Sequence, residues 1–272
     1  PHPLALLRPQ IAPIPLLPPQ RKADLLQAAG ASRVGIFQTG PWLLELTARE
    51  FFDQVIVKLF AATGLVEGWD FRFGRDRQGD VALLARWCAE CGIEFEVMHP
   101  LKDDEELGAI SSTRIRSLLG EGRVDEAGRL LDRPYRLTGV VTRGAGRGRE
   151  LGIPTVNLAE VATLIPSDGV YAGLAWLDPA AGARLGVGAG PWIAACHIGP
   201  NVTFGERQRS VEAHLVDFQA DLYGQFVDLD LLQFLRGTCA FASVDEMMEQ
   251  IHADIAETRR VASAAMSARF PF

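Results

Sequence analysis

The sequence predicts an α/β domain followed by a β domain, and three observations carry that reading. Over the first half, strand-like and helical patterns alternate, which implies a parallel α/β sheet. Over the second half, short strand patterns recur at Leu137–Val141, Gly169–Trp176, Trp192–Ile198, Val211–Phe218 and Phe226–Leu232, the spacing of a small antiparallel barrel. Between the halves, Leu131-Asp-Arg-Pro-Tyr135 reads as a boundary, because Pro134 ends the preceding helix and strand patterns begin beyond it. The expected domains are residues 1–133 and 134–272.

Taken in order, residues 9–20 are proline-rich and predict a loop. Arg21–Ala29 has a short helical pattern that Gly30 ends. Val34-Gly-Ile-Phe37 is strand-like, Ala48–Ala62 is an amphipathic helix, and Gly64-Leu-Val-Glu67 is a second strand. The segment Gly68–Asp80 follows directly, at the strand end where open α/β sheets place ligands. It reads either as a turn burying two core aromatics, Phe71 and Phe73, or as the wall of a cleft. A helical pattern then carries Val81, Leu84, Ala85 and Cys88. Ser111-Ser-Thr-Arg-Ile-Arg116 opens a helix expected to run through Leu118, Leu119 and Val124 to Ala127. Unsatisfied N–H groups, hydroxyls and two arginines at such a start suit an anion, although Ser and Thr also serve as ordinary caps there. The last element, Ser243 to about Ala265, has Ser243 and Glu246 in capping-box register and an apolar stripe of Val244, Met247, Met248, Ile251 and Ile255.

Composition narrows the class. With 48% hydrophobic and 22% charged residues in 272, the chain has the make-up of a globular protein large enough for two domains. A net charge of -7 argues against a nucleic-acid or anionic-membrane surface. No apolar run is long enough to span a bilayer. The four cysteines, Cys88, Cys91, Cys196 and Cys239, are too few and scattered for a disulfide framework, and a reducing cytoplasm is the expected location. Cys88-Ala-Glu-Cys91 has the spacing of half a zinc site, but no second pair completes it, so these read as structural helix residues.

One stretch concentrates the chemistry. From Gly139 to Asn157 a strand-like start enters a loop with Gly144, Gly146 and Gly148 interleaved with Arg143, Arg147 and Arg149, then a tight Pro154-Thr-Val-Asn157 turn. Glycine lets backbone N–H groups close on an anion, and the arginines add charge. Mg²⁺ takes one or two protein oxygens beside nucleotide phosphates, which the Thr155 hydroxyl and Asn157 amide can supply. A flexible solvated turn has the same composition, and no Gly-Lys-Ser/Thr follows to make a Walker loop. Downstream, Val211, Ala213 and Leu215 alternate with Glu212 and His214, so a strand here directs the Glu212 carboxylate away from the apolar face.

The Gly139–Asn157 stretch resembles the riboflavin kinase signature, and further blocks follow in the same order. They are Pro166-Ser-Asp-Gly-Val-Tyr171, His197-Ile-Gly-Pro-Asn-Val-Thr-Phe-Gly205, Ser210–Phe218, Asp221-Leu-Tyr-Gly224 and Phe234-Leu-Arg236. Upstream, Gly68–Asp80 and Ile110-Ser-Ser-Thr-Arg-Ile-Arg116 resemble the FMN adenylyltransferase half of bifunctional bacterial FAD synthetases. The resemblance implies a partial Rossmann-like nucleotidyltransferase domain, then a β-barrel kinase domain with a C-terminal helix. It implies ATP-dependent phosphorylation of riboflavin to FMN, with adenylylation of FMN to FAD as the second activity, and Mg²⁺ as the metal.

Residue by residue, it assigns Glu212 as the base, and Arg143, Gly144, Gly146, Arg149, Thr155 and Asn157 to ATP, the last two also to the metal. Arg236 falls to the flavin; Asp70, Phe71, Ser112, Thr113, Arg114 and Arg116 fall to the nucleotide and flavin of the adenylyltransferase. Two departures stand out. The family's Pro-Thr-Phe-Gly reads Val202-Thr-Phe-Gly205, and its His-x-Gly-His motif has no match among His2, His99, His197, His214 and His252. Pro1-His-Pro-Leu4 resembles the segment after the family's second strand, so this chain is expected to form FMN and little FAD.

Overall fold

The structure, a computed structural model, describes residues 6, 8–101, 109–144, 146–200 and 208–268. It divides into two units, Pro1–Ile14 with Pro19–Ile110, and Pro15–Pro18 with Ser111–Phe272.

The first unit begins with α1 (Pro19–Ala28), ended at Gly30 with φ +105°, and a single turn α2 (Pro41–Leu44). The segment expected as a strand, Val34–Phe37, is irregular. Among the described residues no strand lies beside it, and Ile36 and Phe37 are exposed, so apolar alternation alone has no ladder to join. α3 (Ala48–Phe51) starts with a closed capping box: the Thr47 hydroxyl accepts from Glu50 N at 3.2 Å, and the Glu50 carboxylate accepts from Thr47 N at 2.8 Å. The helix then widens over Phe52–Leu59, where Phe60 N donates to Val55 O, five residues back, at 3.0 Å. That winding keeps Phe52, Val55 and Ile56 together on the buried face.

β1 (Gly64–Gly68) is followed by a hairpin of β2 (Arg72–Phe73) and β3 (Gly79–Asp80), then α4 (Val81–Cys91) and β4 (Glu94–Met98). β1 and β4 pair in parallel, as the alternation predicts. Asp80 caps α4 through Leu83 N at 2.8 Å, and Gly92 ends it in the left-handed region. Phe52, Phe73, Leu84, Cys88 and Ile93 form the core of this unit.

The second unit opens with α5 (Ser112–Gly120) and α6 (Val124–Leu131), not the single helix expected. Gly122, at φ +80°, breaks them, and a side chain there would strike the Ser167 hydroxyl. Both helices lie on the barrel: Ile115, Leu118, Leu119, Val124 and Ala127 share one core with Tyr135, Leu137, Leu229 and Leu231. The packing boundary therefore falls before Ser111, whereas the sequence signals a boundary at 133/134.

The barrel comprises β5 (Tyr135–Thr142), β6 (Val156–Ala159), β7 (Gly169–Leu177), β8 (Trp192–Gly199), β9 (Ser210–Leu215) and β10 (Phe226–Arg236). They close in the order β10-β5-β6-β9-β8-β7, antiparallel throughout. Between them lie α7 (Arg147–Glu150) and α8 (Pro179–Leu185); α9 (Val244–Ser267) follows the last strand. Pro154–Asn157, expected as a tight turn, instead enters β6 at Val156, because Val156 and Asn157 pair with Ala213 and Glu212 of β9. The α9 start differs slightly from a capping box: Ser243 Oγ accepts from Glu246 N at 3.1 Å, but Glu246 accepts from Ala242 N at 2.9 Å. Val244 is exposed, so the stripe facing the barrel runs Met247, Asp254, Thr258, Val261.

Candidate active site on the barrel wall

Strand alternation on β9 is clean: Val211, Ala213 and Leu215 are buried in the barrel, and Glu212 and His214 stand on the outer wall. Residues directly opposite one another in a ladder share a face, so the register carries that outer position across all six strands. Thr142 on β5 is opposite Asn157 on β6, Asn157 opposite Glu212 on β9, and Glu212 opposite His197 on β8. His197 is opposite Val170 on β7, and Val170 opposite Arg236 on β10. A cleft of about 780 Å³ lies over this row, within the size range of small-molecule sites. Its cover is the Arg143–Ile153 loop on one side and Met247, Met248, Ile251 and Ile255 of α9 on the other.

At the loop end, a side chain at Gly144 would overlap the Asn157 amide, so the loop backbone rests directly on that side chain. At Gly148 it would strike Ile153 O, with Thr155 Oγ1 nearby. Ile153 N closes the turn onto Gly148 O at 2.7 Å, and Gly146 adopts φ +80° to enter α7. Gly144 and Gly148 are thus required by close approach, and Gly146 by its positive φ. Arg143, Gly144, Gly146, Arg147, Thr155 and Asn157 line the cleft; Arg149 is exposed on α7 and is not among the lining residues. The Arg143 guanidinium lies 5.4 Å from the centre of the Tyr223 ring. His214 Nδ1 lies 2.8 Å from Pro154 O, tying β9 to the residue before Thr155.

In the middle, Glu212 Oε1 accepts a hydrogen bond from Ser210 Oγ at 2.9 Å. Burial holds the pKa of the adjacent His197 below the usual imidazole value; Glu212 pulls it back up, Arg236 pushes it further down and Asp168 raises it. Asp168 itself pairs with Arg209 at 2.5 Å, and Arg209 also donates to Pro166 O. At the far end, Arg236 donates to Asp254 of α9 through Nε at 3.0 Å and Nη2 at 2.7 Å. Its Nη1 lies 3.3 Å from Cys239 Sγ, and its guanidinium sits 5.6 Å from the Phe241 ring centre. Burial works against the Arg236 charge, but Asp254 outweighs it and the pKa stays above the ordinary guanidinium value. Such a surface suits a polyphosphate at the loop end and an aromatic ring against α9, with the Glu212 carboxylate between them.

The remaining expected residues lie elsewhere. Asp70 is exposed in the turn after β1, and Phe71 is half-buried, stacked on the core residue Phe73 with ring centres 5.7 Å apart. Ser112 and Thr113 are exposed in the first turn of α5, whose cap is Ser111, accepting from Arg114 N at 3.2 Å. Arg114 and Arg116 are half-buried on the same helix. These four belong to the second unit and Asp70 and Phe71 to the first. Pro1–Leu4 and Asn201–Gly205 lie outside the described residues. Sequence reasoning gave no role to His197, Arg209 or Asp254; the available signals were alternation on β8, which sets His197 apart from Cys196 and Ile198, and an acid at 254 interrupting the α9 stripe.

Family comparisons agree with this architecture. A riboflavin kinase family model matches residues 131–262, and an FAD synthetase family model matches residues 1–114. A Pseudomonas fluorescens protein named bifunctional riboflavin kinase/FMN adenylyltransferase is 32% identical over 264 residues, covering 97% of this chain and 81% of its own. The like-named protein of Escherichia coli K12 is 32% identical over 254 residues, covering 93% and 78%. A Streptococcus pneumoniae crystal structure described as a macrolide-efflux protein superposes with a TM-score of 0.76 at 32% identity, covering 90% of this chain and 75% of that one. Among the described residues of the present chain, no helix is long and apolar enough to cross a membrane. The chain therefore belongs to the bifunctional riboflavin kinase/FMN adenylyltransferase family.

Proposed function

We propose that the barrel unit transfers the γ-phosphoryl group of ATP to the primary hydroxyl at the end of the ribityl chain of riboflavin, giving FMN and ADP. The observation that carries this is the single outer-wall row, which sets Asn157 beside Glu212 under the glycine loop and Arg236 three strands away against α9. Phosphoryl transfer asks little covalent chemistry of a protein; it needs alignment, charge neutralisation and a base at the acceptor proton. Glu212, held by Ser210, accepts that proton. Arg143 and Arg147 with the loop N–H groups take the phosphates, and Arg236 with the apolar face of α9 takes the flavin ring. Thr155 and Asn157 are neutral oxygen donors on the cleft wall, a set that fits Mg²⁺ completed by phosphates and water. When bound, Mg²⁺ would neutralise phosphate charge there.

For the second family activity, transfer of AMP from ATP to FMN with release of pyrophosphate, we assign Ser112, Thr113, Arg114 and Arg116 at the α5 start, and in the other unit Asp70 and Phe71, to nucleotide and flavin. The four free cysteines fit a cytoplasmic enzyme. Incubation with riboflavin, ATP and Mg²⁺ followed by separation of riboflavin, FMN and FAD tests the reading; unchanged riboflavin would overturn it.

A further inference from the structure

We infer that His197 is a specificity-determining contact for the polyhydroxyl chain of the alcohol acceptor, placed between the base and the ring site. This rests on the kinase reading above and deepens it. His197 is directly opposite Glu212 on one side and Val170 on the other, and Val170 is opposite Arg236. Three strand steps at about 4.8 Å each separate Glu212 from Arg236, roughly 14 Å of wall. An acceptor whose ring lies at Arg236 and whose terminal hydroxyl reaches Glu212 must lay its chain across His197.

The imidazole has hydrogen-bonding capacity for that role. It lines the cleft, is half-buried, and among the described residues none hydrogen-bonds to its ring. Its polar neighbours in the row are committed, Glu212 to Ser210 and Arg236 to Asp254. The charges facing it are Glu212 on β9, Asp168 before β7 and Arg236 on β10, and Asp168 is shared with Arg209. Burial keeps the ring neutral, which leaves one N–H donor and one acceptor nitrogen. That pair matches an alcohol, which both donates and accepts; it does not match a phosphate, which only accepts. His197 is thus a better partner for the chain hydroxyls than for ATP.

The test compares riboflavin with lumiflavin, which has the same ring and no polyhydroxyl chain. Binding of each is followed by flavin fluorescence in the unmodified protein, His197→Ala and His197→Asn, with melting curves to confirm folding. His197→Ala is expected to weaken riboflavin about tenfold, leave lumiflavin within twofold and leave the KM for ATP within twofold, with His197→Asn recovering part of the loss. Equal weakening of riboflavin and lumiflavin, or unchanged riboflavin binding, overturns the proposal. The binding comparison needs no turnover. Should riboflavin prove not to be phosphorylated, the kinase reading fails, and the riboflavin-to-lumiflavin ratio still decides whether His197 holds the chain.

Discussion

Asn157 and Glu212 stand directly opposite each other on β6 and β9, so the candidate metal donor and the candidate base are fixed by one backbone pairing. Glu212→Gln keeps shape and hydrogen bonding but cannot accept a proton. FMN formation should fall about 10²–10⁴-fold, with the affinity for Mg-ATP within twofold. Steady-state flavin analysis and nucleotide titration check this; near-normal turnover would remove Glu212 from the role.

The loop and the donor it covers should fail in the same way. Asn157→Ala and Thr155→Ala each delete an oxygen and should raise the Mg²⁺ concentration needed for half-maximal rate. Gly144→Ala deletes no donor, but its methyl would overlap the Asn157 amide, so it should mimic Asn157→Ala. A Gly144→Ala enzyme with unaltered Mg²⁺ dependence would show that the loop does not rest on Asn157 in solution.

Thiol chemistry should divide the cysteines in two. Cys91 and Cys239 are exposed and should react rapidly with a maleimide or an aromatic disulfide reagent. Cys88 and Cys196 are buried, and burial pushes the Cys196 pKa up to about 12, so both should react only on unfolding. Two equivalents in native buffer and four in denaturant are expected; rapid labelling of Cys196 in the folded protein would contradict a packed barrel.

The folded-state pKa of His197 is lowered, so the unfolded chain takes up this proton first as pH falls. Stability should decline as pH drops through the unfolded imidazole value near 6.5 toward the lower folded value, and His197→Asn should lose less over the same window. Denaturant unfolding of both proteins at pH 7.5 and 5.5 measures the difference. An equal loss in both would show that His197 is not held neutral by the fold.

The helices ahead of the barrel should be indispensable to it. Leu119, Val124 and Ala127 are fully buried in the barrel's core cluster, and each large aliphatic side chain contributes about 1.5–3 kcal/mol by burial. A fragment beginning at Ser111 should melt well above one beginning at Pro134, as calorimetry can establish. Equal melting temperatures would make α5 and α6 dispensable.

Most of the barrel was legible because alternation on a closed sheet is a strong local pattern: Val211, Ala213 and Leu215 announce their own face and thereby that of Glu212. Val34–Phe37 carries the same pattern but lacks a neighbour, and a strand exists only as a pair. The α5–α6 break hides in Gly122, which has a positive φ and where a side chain would strike Ser167, a residue distant in sequence. Val156 and Asn157 looked like a turn because Pro154 precedes them, yet β9 recruits them into a strand. Alternation on β8 gives the face of His197 but not its neighbours, which depend on which strand runs beside it.

The row from Thr142 to Arg236 also works as a ruler. Its marks are strand steps, and they cannot be subdivided. Sliding one strand by a single residue would turn its side chain from the outer wall into the core. On the kinase reading, the span of wall between Glu212 and Arg236 is set in strand steps, and acceptors with a longer or shorter chain are expected to be phosphorylated more slowly. That spacing belongs to the hydrogen-bonded backbone rather than to any one side chain, and the loop and α9 border it.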